Sequence, residues 1–582
     1  MIGLISATAA GAAACDRLAA AWPHRARRYP GPTAEAVRAA FAECDQLVCF
    51  LATGATVRLL APLLRDKTSD PGVVCVDEAQ QHAVALLGGH AGGANALADK
   101  VAEQLPGCRP VVTTATDATS VPGLDTLGWP VEGAVAAVSR AMLDGEPVRL
   151  VSDAVHPLPA LPPNVSATTD SDVSLLVSDM LRPQDQPPGT SPDQPGARQA
   201  VLRPPTLTVG VGASRGAPVE EVLTLIAAAL ADAGLSPRCV AGLATVEAKA
   251  GEPGLVAAAG QLGVPLRVHP ASELAEVAVP HPSQAPQDAV GTPSVAEAAA
   301  LLEAGPGAEL VVPKRKSVRA DGAPAMVTCA VARRRPRGRL AVVGLGPGAR
   351  DLLTPRARAE LRRASVVVGL DQYVTQIRDL LRPGTRVLES GLGAEEERAR
   401  TAVEQARAGH AVALIGSGDA GVYAMASPAL AEASADIDVV GVPGVTAALA
   451  AAALLGAPLG HDHVSISLSD LHTPWEVIER RVAAAAASDL VVTFYNPRSR
   501  GRHWQLPKAL GLLAEHRTPG TPVGVVRNAS RPGERVLLTT LGALDPAEVD
   551  MMTVVTVGNT ATRAVAGRMV TPRGYRWQEA GA

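Results

Sequence analysis

Aromatic side chains are scarce in this chain of 582 residues: five Trp, five Tyr and three Phe make up 2% of it. The charges nearly cancel, leaving −4 at pH 7. A nucleic-acid surface needs a basic face and stacking rings, so this composition argues against one. Cysteine is sparse as well; the seven present are odd in number and contain no C-x-x-C pair. They read as free thiols of a reducing cytoplasm, not as a disulfide frame or a zinc site. Charges interrupt every alanine-rich stretch before it reaches membrane-spanning length, and the N-terminus shows no charged leader followed by a sustained apolar block. The expectation is a soluble, cytoplasmic protein without a metal cluster and without a nucleic-acid or membrane partner. The length predicts three or four domains.

What the sequence does hold is a series of strand-like runs that stop in glycines. The most telling is Arg339-Leu-Ala-Val-Val-Gly-Leu-Gly-Pro-Gly348, followed by a helix-start signal at Thr354-Pro355. Its spacing, G-x-G-x-G with a proline inside, departs from the dinucleotide fingerprint, and a plain architectural turn stays open. Three similar junctions follow. Ala411-Val-Ala-Leu-Ile415 ends in Gly416-Ser-Gly-Asp-Ala-Gly-Val-Tyr423, and Ile437-Asp-Val-Val440 runs into Gly441-Val-Pro-Gly-Val-Thr-Ala-Ala448. Asp489-Leu-Val-Val-Thr-Phe494 leads into Tyr495-Asn-Pro-Arg-Ser-Arg-Gly-Arg-His-Trp504. Ligands of parallel sheets collect at the carboxyl edges of strands, so repeated small-residue turns there suggest one crevice built from several loops.

Taken in order, these motifs closely resemble the tetrapyrrole (corrin and porphyrin) methyltransferases over about residues 338–575. With Val367-Val-Gly-Leu-Asp-Gln-Tyr373 and Val526-Arg-Asn-Ala-Ser530, they look most like the branch that methylates C17 of precorrin-3B. The resemblance implies S-adenosylmethionine as methyl donor and a fold of two α/β lobes. It further implies that Pro347, Ser417, Gly418, Asp419, Val422, Thr446, Ala447, Asn496 and Ala529 contact the donor. Blander readings stand beside these: Thr446 and Ala447 as a helix cap and first turn, Asp419 as a turn former. An electron-rich ring carbon attacks the sulfonium methyl directly, so the chemistry asks for alignment and exclusion of water, not for a triad. The acid-rich tetrapyrrole or corrinoid substrate, cobalt-bearing or metal-free, needs cations, and Arg498, Arg500 and Arg502 are the candidates. A solvated basic loop is the alternative. The resemblance also implies ring contraction with a lactone product, and a homodimer.

Upstream, residues 1–125 and 205–333 each read as a small α/β domain, and 126–204 as a middle region with a Pro-rich linker. The soft stretch is 163–204, centred on Pro187-Pro-Gly-Thr-Ser-Pro-Asp-Gln-Pro-Gly196, and Arg333-Arg-Arg-Pro-Arg-Gly338 marks a second boundary. Leu86-Leu-Gly-Gly-His-Ala-Gly-Gly-Ala-Asn-Ala-Leu97 sets a histidine on a bare turn, and Leu207-Thr-Val-Gly-Val-Gly-Ala-Ser-Arg-Gly216 is again strand into glycine loop. These blocks resemble cobalt-precorrin-5A hydrolase, which opens the lactone and releases acetaldehyde. His90 is the candidate base, with Glu247 a rival, and Lys67 and Lys249 are candidate holders of substrate carboxylates. The whole reads as an α/β multidomain enzyme of cobalamin biosynthesis: two smaller hydrolase-like domains before a two-lobed tetrapyrrole-methylase fold at 338–582. The alternatives are a non-catalytic corrinoid-binding N-terminal half, and methylation at another ring position.

Overall fold

The computed structural model describes residues 1–66, 69–90, 92–181, 198–319, 322–499 and 501–574. They form two compact units, built principally from Met1–Val155 with Leu161–Pro336, and from Arg337–Leu381 with the residues after Thr385.

Among its described residues the first unit holds three sheets. The N-terminal sheet has six strands, in spatial order Ala26–Arg28, Ile2–Ser6, Gln46–Phe50, Gly72–Val76, His82–Leu87 and Arg109–Val111. Its strands are apolar on both faces because both are covered. Val48 and Phe50 pack with Leu18 and Leu97, while Leu47 and Cys49 pack with Val37 and Ala40. The third sheet runs Leu266–His269, Val240–Val246, Leu207–Ala213, Val327–Arg333, Glu309–Lys316, with Leu207–Ala213 at its centre. The amphipathic helix expected from Pro218 to Leu230 is observed as Val219–Asp232, and it buries Val222, Leu225, Ile226 and Leu230.

The middle region departs from the expected linker. Val165–Ser166, Ser174–Val177 and Gln199–Leu202 join Val131–Gly133 and Val148–Ser152 in a five-stranded sheet. All four residues of Ser174–Val177 are buried. The Arg203 side chain is fully buried there, donating to Glu132 Oε2 at 3.0 Å and to the Ser178 and Met180 carbonyls. The Pro/Gly-rich composition belongs to the segment around Pro187–Gly196, which lies outside the described residues. Averaging it over 163–204 concealed short buried strands on either side.

In the second unit, five parallel strands stand in the order Arg386–Ser390, Val366–Leu370, Ala411–Gly416, Arg339–Gly344, Asp438–Val442. The first strand in sequence thus lies between the fourth and the fifth, and their carboxyl ends open side by side. Leu340 and Val342 pack toward helix Glu395–Arg407, and Ala341 and Val343 toward helix Pro355–Arg363. That last helix starts where the sequence signalled: Thr354 Oγ1 accepts from Ala357 N at 3.1 Å, with proline at the first helical position. The second lobe is a mixed sheet, His463–Ser467, Val491–Tyr495, Thr553–Val557, Pro522–Arg527, Arg535–Thr540, covered by helices Trp475–Ala487 and Gln505–Ala514.

Candidate functional site

Three strand ends of the first lobe meet almost backbone to backbone. A Cβ placed on Gly444 would lie 2.1 Å from Gly418 O and 2.8 Å from Gly344 C. One on Gly344 would lie 2.8 Å from both Gly418 O and Gly444 N. Gly346 and Gly418 exchange backbone hydrogen bonds of 3.0 and 2.8 Å, and Gly418 and Gly346 both have positive φ. Only glycine satisfies these approaches, so the loops after Gly344, Gly416 and Val442 form one continuous floor. Asp419 fastens it. Its Oδ1 accepts from Gly421 N at 2.8 Å and its Oδ2 from Gly444 N at 2.9 Å.

The second lobe reaches this floor with two side chains. Arg531 donates from Nε to Pro347 O at 2.5 Å and from Nη2 to Ser417 Oγ at 2.7 Å. The Tyr495 hydroxyl accepts from Ala448 N at 2.9 Å and lies 2.5 Å from Thr446 Oγ1. It therefore satisfies an amide at the start of helix Ala447–Leu455, whose own N-cap residue, Thr446, makes no side-chain cap bond. Beside it the Tyr423 ring stands 5.2 Å from that of Tyr495, and the Tyr423 hydroxyl donates to Ser465 O at 2.7 Å. Tyr423, Asn496, Asn528 and Ser530 all carry left-handed backbone, with φ of 51°, 49°, 51° and 61°. Non-glycine residues held there concentrate at ligand-binding positions.

Of the residues expected at the donor site, Pro347, Ser417, Gly418, Asp419 and Val422 lie in these loops, and Thr446 and Ala447 stand at the helix start that follows them. Pro347 is buried, Ser417 faces Arg531, and Gly418 and Asp419 knit the loops. Val422 is half-buried on the same loop. Thr446 and Ala447 open the helix capped by Tyr495, so the cap reading holds in part, with the hydroxyl coming from another strand. Ala529 is packed in one cluster with Ala447, Ala450 and Leu455. Asn496 donates to Ser467 Oγ at 3.1 Å.

Two arginines of the basic loop, Arg498 and Arg502, are tied to protein atoms. Arg498 donates to the Pro546 and Ala547 carbonyls at 3.2 and 2.6 Å. Arg502 donates to Ser469 Oγ at 3.0 Å and Asn496 O at 3.2 Å, and burial pushes its guanidinium below the ordinary arginine range. Ser499 and Arg502 close a tight turn through reciprocal backbone bonds. Arg500 lies outside the described residues. Arg498 and Arg502 thus brace the loop, a role their spacing did not reveal.

In the first unit, His90 Nε2 lies 2.9 Å from Thr116 Oγ1, and Asn95 donates to Thr114 Oγ1 at 2.9 Å. A cavity of about 280 Å³ opens nearby, lined by Leu64, Arg65, Asp66, Asp70, Leu87 and Gly88. Lys67 lies outside the described residues. Lys249 pairs with Glu252 at 3.4 Å, and Glu252 in turn accepts from Gly216 N at 2.6 Å. Glu247 is exposed on the adjoining turn. Among the described residues no three His, Cys, Asp or Glu side chains group as a metal site, and no helix is long and apolar enough to cross a membrane.

The model of the Tetrapyrrole (Corrin/Porphyrin) Methylases family matches residues 339–545, the two-lobed unit just described. A Salmonella typhimurium protein named "Probable cobalt-factor III C(17)-methyltransferase" is 49% identical over 239 residues, which are 40% of this chain and 99% of that protein. The chain belongs to the tetrapyrrole methylases. A Priestia megaterium protein named cobalt-factor III methyltransferase is 43% identical over 249 residues, 41% of this chain and 46% of that relative, so the chain spans about half of that longer protein. A solved structure described as the methyltransferase CobJ is 40% identical, covering 40% of this chain and 100% of that one, with a TM-score of 0.39. Upstream, the Cobalamin synthesis G N-terminal model matches residues 35–117 and the Cobalamin synthesis G C-terminus model matches 207–332.

Within the methylase unit, reading the motifs missed Arg531 and the capping role of Tyr495. Both sit in or directly beside motifs that drew attention, Val526–Ser530 and Tyr495–Arg500. Nothing in their local sequence says that they reach across to the first lobe. That fact belongs to the tertiary fold.

Proposed function

We propose that the C-terminal unit transfers a methyl group from S-adenosylmethionine to C17 of a precorrin-3B-type macrocycle, metal-free or cobalt-loaded, in cobalamin biosynthesis. Ring contraction accompanies the transfer. The observation that carries this reading is the convergence of the loops at Gly344, Gly418 and Gly444, where a Cβ would collide with the neighbouring loop's backbone, so that three strand ends meet at one carboxyl edge. Parallel sheets gather their ligands at such an edge, which supports a seat for the methyl donor there. The donor would be held by Pro347, Ser417, Gly418, Asp419, Val422, Thr446, Ala447, Asn496 and Ala529. When bound it supplies a sulfonium-activated methyl group.

The chain's own contribution is to bind, orient and exclude water. Arg531 holds Pro347 and Ser417 in place, and Tyr495 fixes the start of helix Ala447–Leu455. Substrate carboxylates fall to Arg500 and to whatever donors of Arg498 and Arg502 the loop leaves over. The exposed Leu449, Leu454, Val536 and Leu537, on the adjoining helix Ala447–Leu455 and strand Arg535–Thr540, support a homodimer.

For residues 1–332 the reading is hydrolysis of the cobalt-precorrin-5A lactone with release of acetaldehyde, supported by the two cobalamin synthesis G matches and the cavity beside the His90 turn. Incubating the purified full chain with cobalt-precorrin-5A and assaying acetaldehyde tests it. No release would leave a corrinoid-holding region. For the methylase unit, isotope-labelled methyl followed to C17 by NMR tests the position, and label at C11 or C20 would overturn it.

A further inference from the structure

Another histidine of the first unit, His281, stands against a buried carboxylate. Glu297, on helix Ala296–Ala304, is a fully buried carboxylate. Burial alone would raise its pKa, but three donors outweigh it and hold the group below the usual glutamate range: the Lys314 amide, the His281 ring and the His281 amide. Glu297 Oε1 accepts from His281 Nδ1 at 2.8 Å and from Lys314 N at 2.9 Å, and Oε2 accepts from His281 N at 3.1 Å. Lys314 Nζ donates to His281 O at 2.7 Å. Lys314 is free to give its amide because the register of Glu309–Lys316 against its partner strand shifts between Val312 and Arg315. Such bulges commonly re-aim groups beside active sites.

The orientation of the imidazole follows from these bonds. In the neutral ring, donation from Nδ1 to the buried carboxylate leaves the lone pair on Nε2. The His281 side chain is 55% exposed, so Nε2 is open to a reacting molecule while the carboxylate behind it is shut away from water. The placement fits as well. Helix Ala296–Ala304 lies directly on the central strand Leu207–Ala213: a Cβ on Gly210 would be 1.9 Å from Ala296 O, and one on Gly212 would meet the Val295 side chain at 3.5 Å. The helix start, with Glu297, is therefore at the carboxyl end of that strand, where Gly212-Ala-Ser-Arg-Gly216 begins. That is where open α/β sheets gather their ligands. A purely structural staple for the 281 and 314 amides needs no ionised group at its centre, because a neutral side-chain carbonyl accepts the same bonds without the cost of burying charge.

We propose that His281 and Glu297 form a general-base dyad that activates water against the ester carbonyl of a lactone. This rests on the hydrolase reading given above and moves the base from the His90 turn to the 207–332 domain. His281 Nε2 takes a proton from water as the water oxygen bonds to the carbonyl carbon. The carbon–oxygen bond to the ring alkoxide then breaks, and the alkoxide leaves with the proton from the imidazolium. Ester and water become acid and alcohol on one macrocycle, and the imidazole is neutral again. Glu297 keeps the tautomer and stabilises the imidazolium without itself being protonated.

The test uses the full chain with cobalt-precorrin-5A, acetaldehyde release as readout, and circular dichroism with thermal unfolding of the same preparation as the control for folding. His281→Asn retains an amide donor toward Glu297 but has no base, whereas His281→Ala loses both. The dyad requires both variants to lose about 100-fold or more in release, with the acid limb of the wild-type pH–rate profile gone, while His90→Ala loses much less. If His281→Asn releases acetaldehyde as the wild type does, His281 is a staple and the dyad is wrong although the hydrolase reading stands. Collapse of His90→Ala with His281→Asn unaffected returns the base to His90. A wild-type chain that releases none overturns the hydrolase reading, and the dyad with it.

Discussion

At the scale of single residues, the methylase site depends on atoms that are missing. Gly444→Ala would push a methyl group to 2.1 Å from Gly418 O, a distance real Cβ atoms do not tolerate, so one of the loops must move. The expected result is at least a tenfold loss of S-adenosylmethionine affinity by calorimetry with the fold retained; unchanged affinity would show that the floor is not the seat. Arg531→Met deletes both bonds to the first lobe and should weaken cofactor affinity by about 1–3 kcal/mol, the range for charged hydrogen bonds and their unpaired acceptors. Some of this was legible beforehand. The glycines and Thr354 announce themselves because their roles are local: a turn, a close approach, a cap. The bracing bonds of Arg498 and Arg502 were not legible, since a run of arginines looks alike in sequence whether or not some of its donors reach the carbonyls of Pro546 and Asn496.

At the scale of elements, helix Ala447–Leu455 borrows its cap. Tyr495→Phe leaves the Ala448 amide without its acceptor and should cost about 1 kcal/mol of stability by chemical denaturation, in the range for loss of a cap. Cofactor affinity should fall with it, because Thr446 and Ala447 lose their anchor. The strands of the methylase unit were readable to within a few residues: Ala411–Ile415 was expected and Ala411–Gly416 is observed. The central strands of its first lobe, Arg339–Gly344, Val366–Leu370 and Ala411–Gly416, are parallel and buried on both faces, which leaves unbroken apolar runs. The sheet at 131–202 was not readable, because strands as short as Val165–Ser166 carry no periodicity. Its most diagnostic contact is the buried Arg203 with Glu132, distant in sequence.

At the scale of the whole molecule, acid should loosen both units through paired carboxylates. Burial would raise Asp550, but Arg527, Thr553 and the Met552 amide together hold it below the ordinary aspartate range. Glu297 is depressed in the same sense. A carboxylate whose pKa is lower folded than unfolded contributes stability in full above its unfolded value, near 4, and loses it as pH falls through the folded value. Thermal unfolding of Asp550→Asn should therefore fall short of the wild type at pH 7, with the gap closing below about pH 4; a gap that widens in acid would contradict the sign. Burial pushes the thiols of Cys239 and Cys329 up to about 12.

The central claim is that glycine loops of the last unit seat a methyl donor against a corrinoid ring. It is tested most directly by incubating the full chain with methyl-labelled S-adenosylmethionine and both metal-free and cobalt-loaded forms of the precorrin-3B-type ring, then identifying the product by mass and NMR. One added methyl at C17 on a contracted ring, abolished by Gly444→Ala, is the predicted result. An unmethylated ring, or label at any other carbon, would contradict it.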